Sequence, residues 1–419
     1  MSRSGWFRKQ QPMLATDGTA AKPSGSRLKG RRGAALTASG AAMVLAAGVA
    51  IVAFASPGSH AAPVSAAQAA AAAKQDQPAD PLQVLSVTPA AGAKGVNGAA
   101  PIKVQFSAPL AANTPMPTLS PHITGSWQVE GDTAVFTPAA GYFENTKVTL
   151  TIPGGANGMT SVDGASAGSG GLLAAGTTES FTTGSFGTLA MQQVLTRLGY
   201  LPLTWKPKSK TFVNPGNANA VLSAAYQPPA GTFSFNGGYP SNLTSQWKAG
   251  SANILDVGAV RAFESVTGLT MDGYAGHTVW SHLLSAMAKG KGNPNGYTYA
   301  LASQYSPERI TIWHNGRVVL KSLVNTGIAA SPTVDGTFPV YLKFYFSHMK
   351  GTNPDGSKYD DPVYYANYFN GGDAVHQFAR YSYGWYQSLG CVELPWDAAK
   401  TAYSYLTYGS LVTVIGPVA

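Results

Sequence analysis

The chain has little cysteine and little charge. Of its 419 residues only Cys391 is a cysteine, and only 11% are Asp, Glu, Lys or Arg. A single cysteine excludes an intramolecular disulfide framework. So few charges argue against long solvated helices and, with 48 Gly and 28 Pro, point to many turns and β-rich domains. A broad basic face is lacking too. Residues 1–32 hold Arg3, Arg8, Lys9, Lys22, Arg27, Lys29, Arg31 and Arg32 against Asp17, and so carry most of the net charge of +9. The remainder is close to neutral, and no nucleic-acid partner is expected. Apolar residues are plentiful at 44%. The length exceeds the ~250–300 residues at which single cores stop growing, so two or three domains are expected.

The basic leader is followed by residues 34–55, which carry no charge, and 41–55 (AAMVLAAGVAIVAFA) are strongly apolar. As a helix this stretch rises about 33 Å, enough to cross a bilayer core. Basic residues before it and none just after it put the N-terminus in the cytoplasm. Residues 1–33 are therefore read as a cytoplasmic tail, 34–55 as a membrane anchor and 56–80, rich in Ala, Pro and Gln, as a flexible linker. The rest would lie in the cell envelope at the outer face of the membrane. A cleaved signal, cut near Ser59-His60-Ala61, is the rival and would make the protein secreted. Exported proteins tend to avoid unpaired thiols unless they use them. Cys391 is thus either a working nucleophile or an inert buried thiol.

Three folded regions follow. In 81–184, the segments 82–87, 102–106 (IKVQF), 126–130, 134–137 and 147–152 (KVTLTI) alternate apolar and polar residues between Pro/Gly turns. Such spacing predicts a β-sandwich, and the region resembles bacterial Ig-like domains. In 185–290 the period becomes helical. Leu189, Val194, Leu195 and Leu198 share one face; Val257, Val260, Phe263 and Val266 repeat at three-residue spacing before Gly268; Trp280, Leu283, Leu284 and Met287 mark a third helix. Phrases such as Ala262-Phe263-Glu264 and Gly276-His277-Thr278-Val279-Trp280 resemble the three-helix peptidoglycan-binding module. A polar insertion at 205–250 departs from it, and either binds or packs against a neighbour. His277 and His282 are five apart and face different ways on a helix, so they are read as surface residues rather than metal ligands. In 297–416, the segments 309–314, 317–320, 338–346 and 411–415 read as strands, with Asn315-Gly316 as a hairpin turn and one main helix at 396–406.

Thiol chemistry requires a thiolate and therefore a base. His376 stands upstream of Cys391 in a strand-like context (Ala374-Val375-His376-Gln377-Phe378), and an aromatic and Gly-rich loop, 381–387, leads to Ser388-Leu389-Gly390-Cys391-Val392-Glu393-Leu394. Gly390 permits a sharp turn that brings the amides of residues 389–391 toward a bound carbonyl. An oxyanion hole of that kind is often worth about 3–4 kcal/mol per donor. No His follows Cys391, which argues against papain-like order, and no Arg follows Arg380, which argues against sortases.

The segment resembles the catalytic domain of the L,D-transpeptidases, the YkuD-type family, whose signature is a His, a short loop, then Ser/Thr-His-Gly-Cys-Val/Ile. Asn325-Thr326-Gly327, Pro332 and Asp335-Gly336-Thr337-Phe338-Pro339-Val340 match its preceding strand and turn. The resemblance implies a multidomain chain ending in a mostly-β catalytic domain. It further implies Cys391 as nucleophile, His376 as general base and then acid, and the Gln377 main-chain carbonyl orienting His376. Leu389 stands where the family usually has His, and Glu393 where Arg or Asn is usual. Ser388 and His348 are substrate-binding candidates. The implied reaction attacks a tetrapeptide stem of peptidoglycan, expels D-Ala, forms a thioester on Cys391 and passes the acyl group to an amine in a 3→3 crosslink. Water as acceptor would make a carboxypeptidase. No metal or organic cofactor is implied, and carbapenems are implied inhibitors. A catalytically weak wall-binding protein is the alternative.

Overall fold

The computed structural model describes residues 80–162, 171–209 and 217–417. The predicted cytoplasmic tail, the 34–55 segment and the linker up to residue 79 lie outside them. Among the described residues no helix is long and apolar enough to cross a membrane.

The first region has seven strands: β1 Val84–Thr88, β2 Ile102–Phe106, β3 Thr118–Ser120, β4 Gly125–Glu130, β5 Thr133–Pro138, β6 Lys147–Ile152 and β7 Thr177–Thr182. They form two sheets, ordered β1-β2-β5-β4 and β3-β6-β7. The alternation of IKVQF and KVTLTI sends Ile102, Val104 and Phe106 from one sheet, and Val148, Leu150 and Ile152 from the other, into a shared core. Each such side chain contributes about 1.5–3 kcal/mol of burial.

The helical region is larger than a three-helix module. Its elements are α1 Thr188–Arg197, β8 Leu203–Pro207, α2 Ala218–Tyr226, β9 Gly231–Phe235, α3 Ser241–Thr244, α4 Ile254–Thr267 and α5 His277–Lys289. α1, α4 and α5 are the three anticipated helices. α4 opens on a capping box between Asn253 and Asp256 and ends, as the sequence predicts, on Gly268 in the left-handed region. Its buried face is corrected by the structure. Leu255, Ala259, Val260 and Phe263 are buried, whereas Val266 is exposed. A strict three-residue repeat falls 60° short of a full turn at each step and drifts off a 3.6-residue helix face. His277 and His282 are both exposed.

In its described residues the polar insertion contains α2, α3 and most of the β8–β9 pair, and these pack against neighbours on both sides. On one side Tyr226 donates to the Tyr142 carbonyl (2.9 Å) and Asn219 to the Ala99 carbonyl (3.2 Å). On the other, Gln246 bonds to Thr337 Oγ1 (2.9 Å) and Tyr239 Oη accepts from the Gly316 amide (2.8 Å).

The last region contains β10 Thr298–Ser303, β11 Arg309–His314, β12 Arg317–Leu323, β13 Gly336–Pro339, β14 Leu342–Thr352, β15 Lys358–Asn370, β16 Asp373–Gln377, β17 Val392–Leu394, α6 Trp396–Tyr405 and β18 Leu411–Ile415. One sheet runs β12-β11-β10-β18-β13 and the other β14-β15-β16-β17. Ile310, Ile312 and Val412 of the first, Val375, Val392 and Leu394 of the second, and Ala399 and Ala402 of α6 close one core. Asn315 and Gly316 both take positive φ, as a two-residue hairpin turn requires.

The expected strand 338–346 is two strands in different sheets: β13 pairs with β18 and β14 with β15. The Val340 amide still bonds to the Ser410 carbonyl (2.8 Å), while the next amide, of Tyr341, bonds to the Tyr368 carbonyl (3.0 Å), so the chain crosses from one sheet to the other between these two residues. Beyond residue 346 the long β14–β15 hairpin has no counterpart in the sequence reading. Its apolar residues do not alternate, since consecutive Phe344, Tyr345 and Phe346 are all exposed.

Candidate active site

β16 and β17 lie side by side in parallel, with Val375 opposite Val392 and His376 opposite Glu393. Hydrophobic anchors at Val375, Val392 and Leu394 thereby fix where the polar residues between them stand. Asn370 and Asp373 bracket a Gly-Gly turn that returns β15 into β16.

The loop before β17 is held from below by the Asn325-Thr326-Gly327 stretch. The Thr326 carbonyl accepts the amides of Gln387 and Ser388, both at 2.9 Å. Buried Glu308 in turn accepts from the Thr326 amide (2.6 Å) and hydroxyl (2.7 Å). Ser388 donates its hydroxyl to the Cys391 carbonyl at 2.6 Å, and Ser331 donates to the Leu389 carbonyl at 3.0 Å. These bonds, made from β-bridged backbone rather than from a helix, hold the Cys391 loop against a rigid floor.

Cys391 and His376 both line one cleft of about 860 Å³, together with Met349, Gly372, Asp373, Arg380, Leu389 and Glu393. Cys391 is half-buried, the β14 residue Met349 brings its Sδ to 4.0 Å from Sγ, and the Gly372 carbonyl lies 3.9 Å away. Burial pushes the thiol up to about 12, with the Asp373 and Glu393 charges adding to it and a backbone bond from Ala374 opposing it. His376 is buried, which lowers its pKa to about 4. Its Nδ1 lies 2.8 Å from the Gln377 carbonyl. A carbonyl only accepts, so Nδ1 carries the proton and Nε2 holds the lone pair. At neutral pH the resting pair is a thiol and a neutral imidazole.

The other sequence candidates divide. Leu389 and His348 line the cleft, and His348 is paired with Asp360 at 2.6 Å on the exposed hairpin. Ser388 is buried, and its hydroxyl donates to the Cys391 carbonyl within the loop. The Gly390 amide points to Ser388 Oγ at 3.3 Å, so the central one of the three amides considered for an oxyanion faces inward. Gly390 takes φ +112, and a Cβ there would meet Asp373 Oδ1 at 2.4 Å.

Met349, Arg380 and Asp373 line the cleft but are not read from sequence as site residues, and Glu393 enters there only as a departure from the family pattern. Glu393 receives Arg380 Nε at 2.8 Å and Nη2 at 2.7 Å, a two-pronged pair with the carboxylate buried and the guanidinium stacked on Phe378. Such pairs impose geometry as well as charge balance. Met349 arrives only through the β14–β15 hairpin. Asp373 was signalled solely by the Gly-Gly turn before it.

Residues 299–414 match the family model of the L,D-transpeptidase catalytic domain. The chain carries an L,D-transpeptidase catalytic domain. Residues 78–183 match the bacterial Ig-like domain, and the helical region lies between the two matches. Similar solved structures include an L,D-transpeptidase from Mycobacterium smegmatis, with 16% identity over 80% of this chain and 100% of that one and a TM-score of 0.27. Another is the catalytic domain of the E. faecium L,D-transpeptidase, with 27% identity over 28% of this chain and 96% of that one and a TM-score of 0.26. A third is L,D-transpeptidase 3 from Mycobacterium tuberculosis in complex with a faropenem-derived adduct, with 15% identity, 80% and 98% coverage and a TM-score of 0.27. No curated protein matches. The L,D-transpeptidase domain thus comprises β10 to β18 and contains both Cys391 and His376.

Proposed function

We propose that the protein is a peptidoglycan L,D-transpeptidase that forms 3→3 crosslinks through a thioester on Cys391. The observation that carries this reading is the His376 imidazole, fixed by the Gln377 carbonyl in the tautomer with Nε2 unprotonated, on the same cleft as the only cysteine. A thiol held near 12 is not a standing thiolate. Its proton therefore moves to His376 Nε2 as the sulfur attacks the carbonyl before the terminal D-Ala of a tetrapeptide stem. The imidazolium, unfavourable in its buried site, then protonates the departing amine. D-Ala leaves, the thioester remains, and an amine of a second stem displaces the sulfur to form the new amide. Carbapenems would acylate the same sulfur.

The 34–55 segment supports placement of these domains at the outer face of the membrane, where stem peptides are found. Membrane fractionation of the full chain, with loss of membrane association on deletion of 34–55, is the expected outcome.

Incubation with tetrapeptide stems should give a covalent mass increase of the acyl-tripeptide on Cys391 and crosslinked dimers. Cys391→Ala should lower dimer formation by roughly 10³-fold or more, as removal of a nucleophile does, while leaving the melting temperature in place. Dimers formed equally well by Cys391→Ala would overturn the reading. Released tripeptide without dimers would instead make the protein a carboxypeptidase.

A further inference from the structure

The cleft holds several carboxylates, and they are not equivalent. Glu393 is occupied by both prongs of Arg380. Asp355, at the hairpin tip, is occupied by the amide and hydroxyl of Ser357. Asp361 stands on β15 opposite Met349 of β14. Asp373 begins β16, three residues before His376, and its Oδ1 occupies the space a Cβ on Gly390 would need, next in the chain to Cys391. Only Asn370, at 3.4 Å from Oδ2, bonds to it among the described residues. The mechanism above assigns it no task, yet a negative charge there opposes a Cys391 thiolate.

We propose that the Asp373 carboxylate docks the primary ammonium of the acceptor and takes its first proton, favouring amine over water in resolving the Cys391 acyl-enzyme. This rests on the acyl-transfer reading. An alkyl ammonium is protonated near neutral pH and cannot attack until it loses a proton. His376 Nε2 takes the nitrogen's second proton as the C–S bond breaks, so the first needs a separate acceptor, and Asp373, a carboxyl group on the same cleft that burial lifts to about 7, is a base suited to take it near neutral pH.

The step balances. The ammonium gives one proton to Asp373, and its nitrogen lone pair attacks the thioester carbonyl. As the C–S bond breaks, the nitrogen's second proton passes through His376 to the sulfur. The products are an amide with one N–H, the Cys391 thiol and protonated Asp373, which returns its proton to solvent.

The test uses the full chain, a tetrapeptide-stem donor and either of two nucleophiles competing with water: a stem peptide bearing an alkyl ammonium, and hydroxylamine, which is uncharged at neutral pH. Mass spectrometry reads the ratio of aminolysis to hydrolysis, which normalises for the amount of acyl-enzyme. In Asp373→Asn the ratio for the ammonium acceptor should fall roughly tenfold, the loss of one ion-pair-sized interaction, through a higher acceptor KM. The ratio for hydroxylamine should stay within about twofold. An equal loss for both nucleophiles, or no loss for either, overturns the assignment. Asp373→Ser gives the same comparison if the Asn variant fails to fold. Absence of any acyl-enzyme in the wild type would remove the acyl-transfer reading and this role together; an acyl-enzyme whose partition ignores Asp373→Asn would remove this role alone.

Discussion

The Ig-like domain and the L,D-transpeptidase domain are both β-rich, but they bury different things. Among the described residues the Ig-like core closes over Thr114, Ser161 and Thr183 as its buried polar side chains, all hydroxyls. The transpeptidase domain buries Glu308, Asn325, Asn367, His376, Gln377 and Glu393 beside its aliphatic core. Charged groups cost free energy to bury unless they are paired or hydrogen-bonded, so the second domain must supply partners: Thr326 for Glu308, Arg380 for Glu393, the Gln377 carbonyl for His376. The first domain is built for stability at low cost. The second uses the same kind of sheet to hold polar groups in a fixed arrangement around a cleft.

The contrast yields three tests in order of size. Phe106→Ala removes a fully buried ring of the Ig-like core and should destabilise that domain by about 3–5 kcal/mol. Chemical denaturation should show it, with β-lactam acylation of Cys391 unaffected at temperatures where both domains stay folded. A parallel loss of acylation would break the separation drawn here. Glu393→Gln should cost less in stability, about 2–3 kcal/mol. Removing one partner strands the other charge, but Arg380 keeps 29% side-chain exposure and water screens part of the effect. Acylation should fall with it, since the Arg380–Glu393 pair lines the cleft.

The smallest effect is in the pH dependence of folding. Asp256, Glu264 and Asp373 are raised by burial from 3.8, 4.5 and 3.8 to about 6, 7 and 7. The folded chain therefore keeps those protons longer than the unfolded one. Their contribution is full below about pH 4 and is lost as pH rises toward 7. His376 acts oppositely: its pKa falls from 6.5 to about 4, so it costs stability as pH drops through that window. Glu308 is raised by burial as well and His314 lowered by it, and four groups against two predict a melting temperature that declines from about pH 5 to about pH 7. Glu264→Gln should flatten the decline, and a slope unchanged in that variant would show that Glu264 is not an acid raised by its burial.

Much of the fold is legible in local patterns. IKVQF and KVTLTI alternate with period two because one face is buried, and both are strands at the expected residues. Asn-Gly marks its hairpin because both residues accept positive φ. The helix at 254–267 announces itself by its apolar repeat and its terminal glycine. Failures occur where neighbours far along the chain decide. The β14–β15 hairpin carries exposed aromatics that obscure its alternation, and the break after Val340 reads as one strand until the two sheets are seen to diverge.

The candidate site divides along the same line. The lone thiol, the glycine before it and the upstream histidine are visible in the linear chain, because each depends on residue type and short spacing, while the Gln377 carbonyl is implied by the family resemblance alone. Tertiary structure alone decides that Ser388 is buried, that Met349 leans over the sulfur, and that Arg380 closes on Glu393. It also sets Asp373 against Gly390, 17 positions further along. Those facts depend on two strands meeting in register and on a glycine lacking a Cβ at the point of contact. No local pattern encodes such a meeting; the packing of β15, β16 and β17 on a common core does.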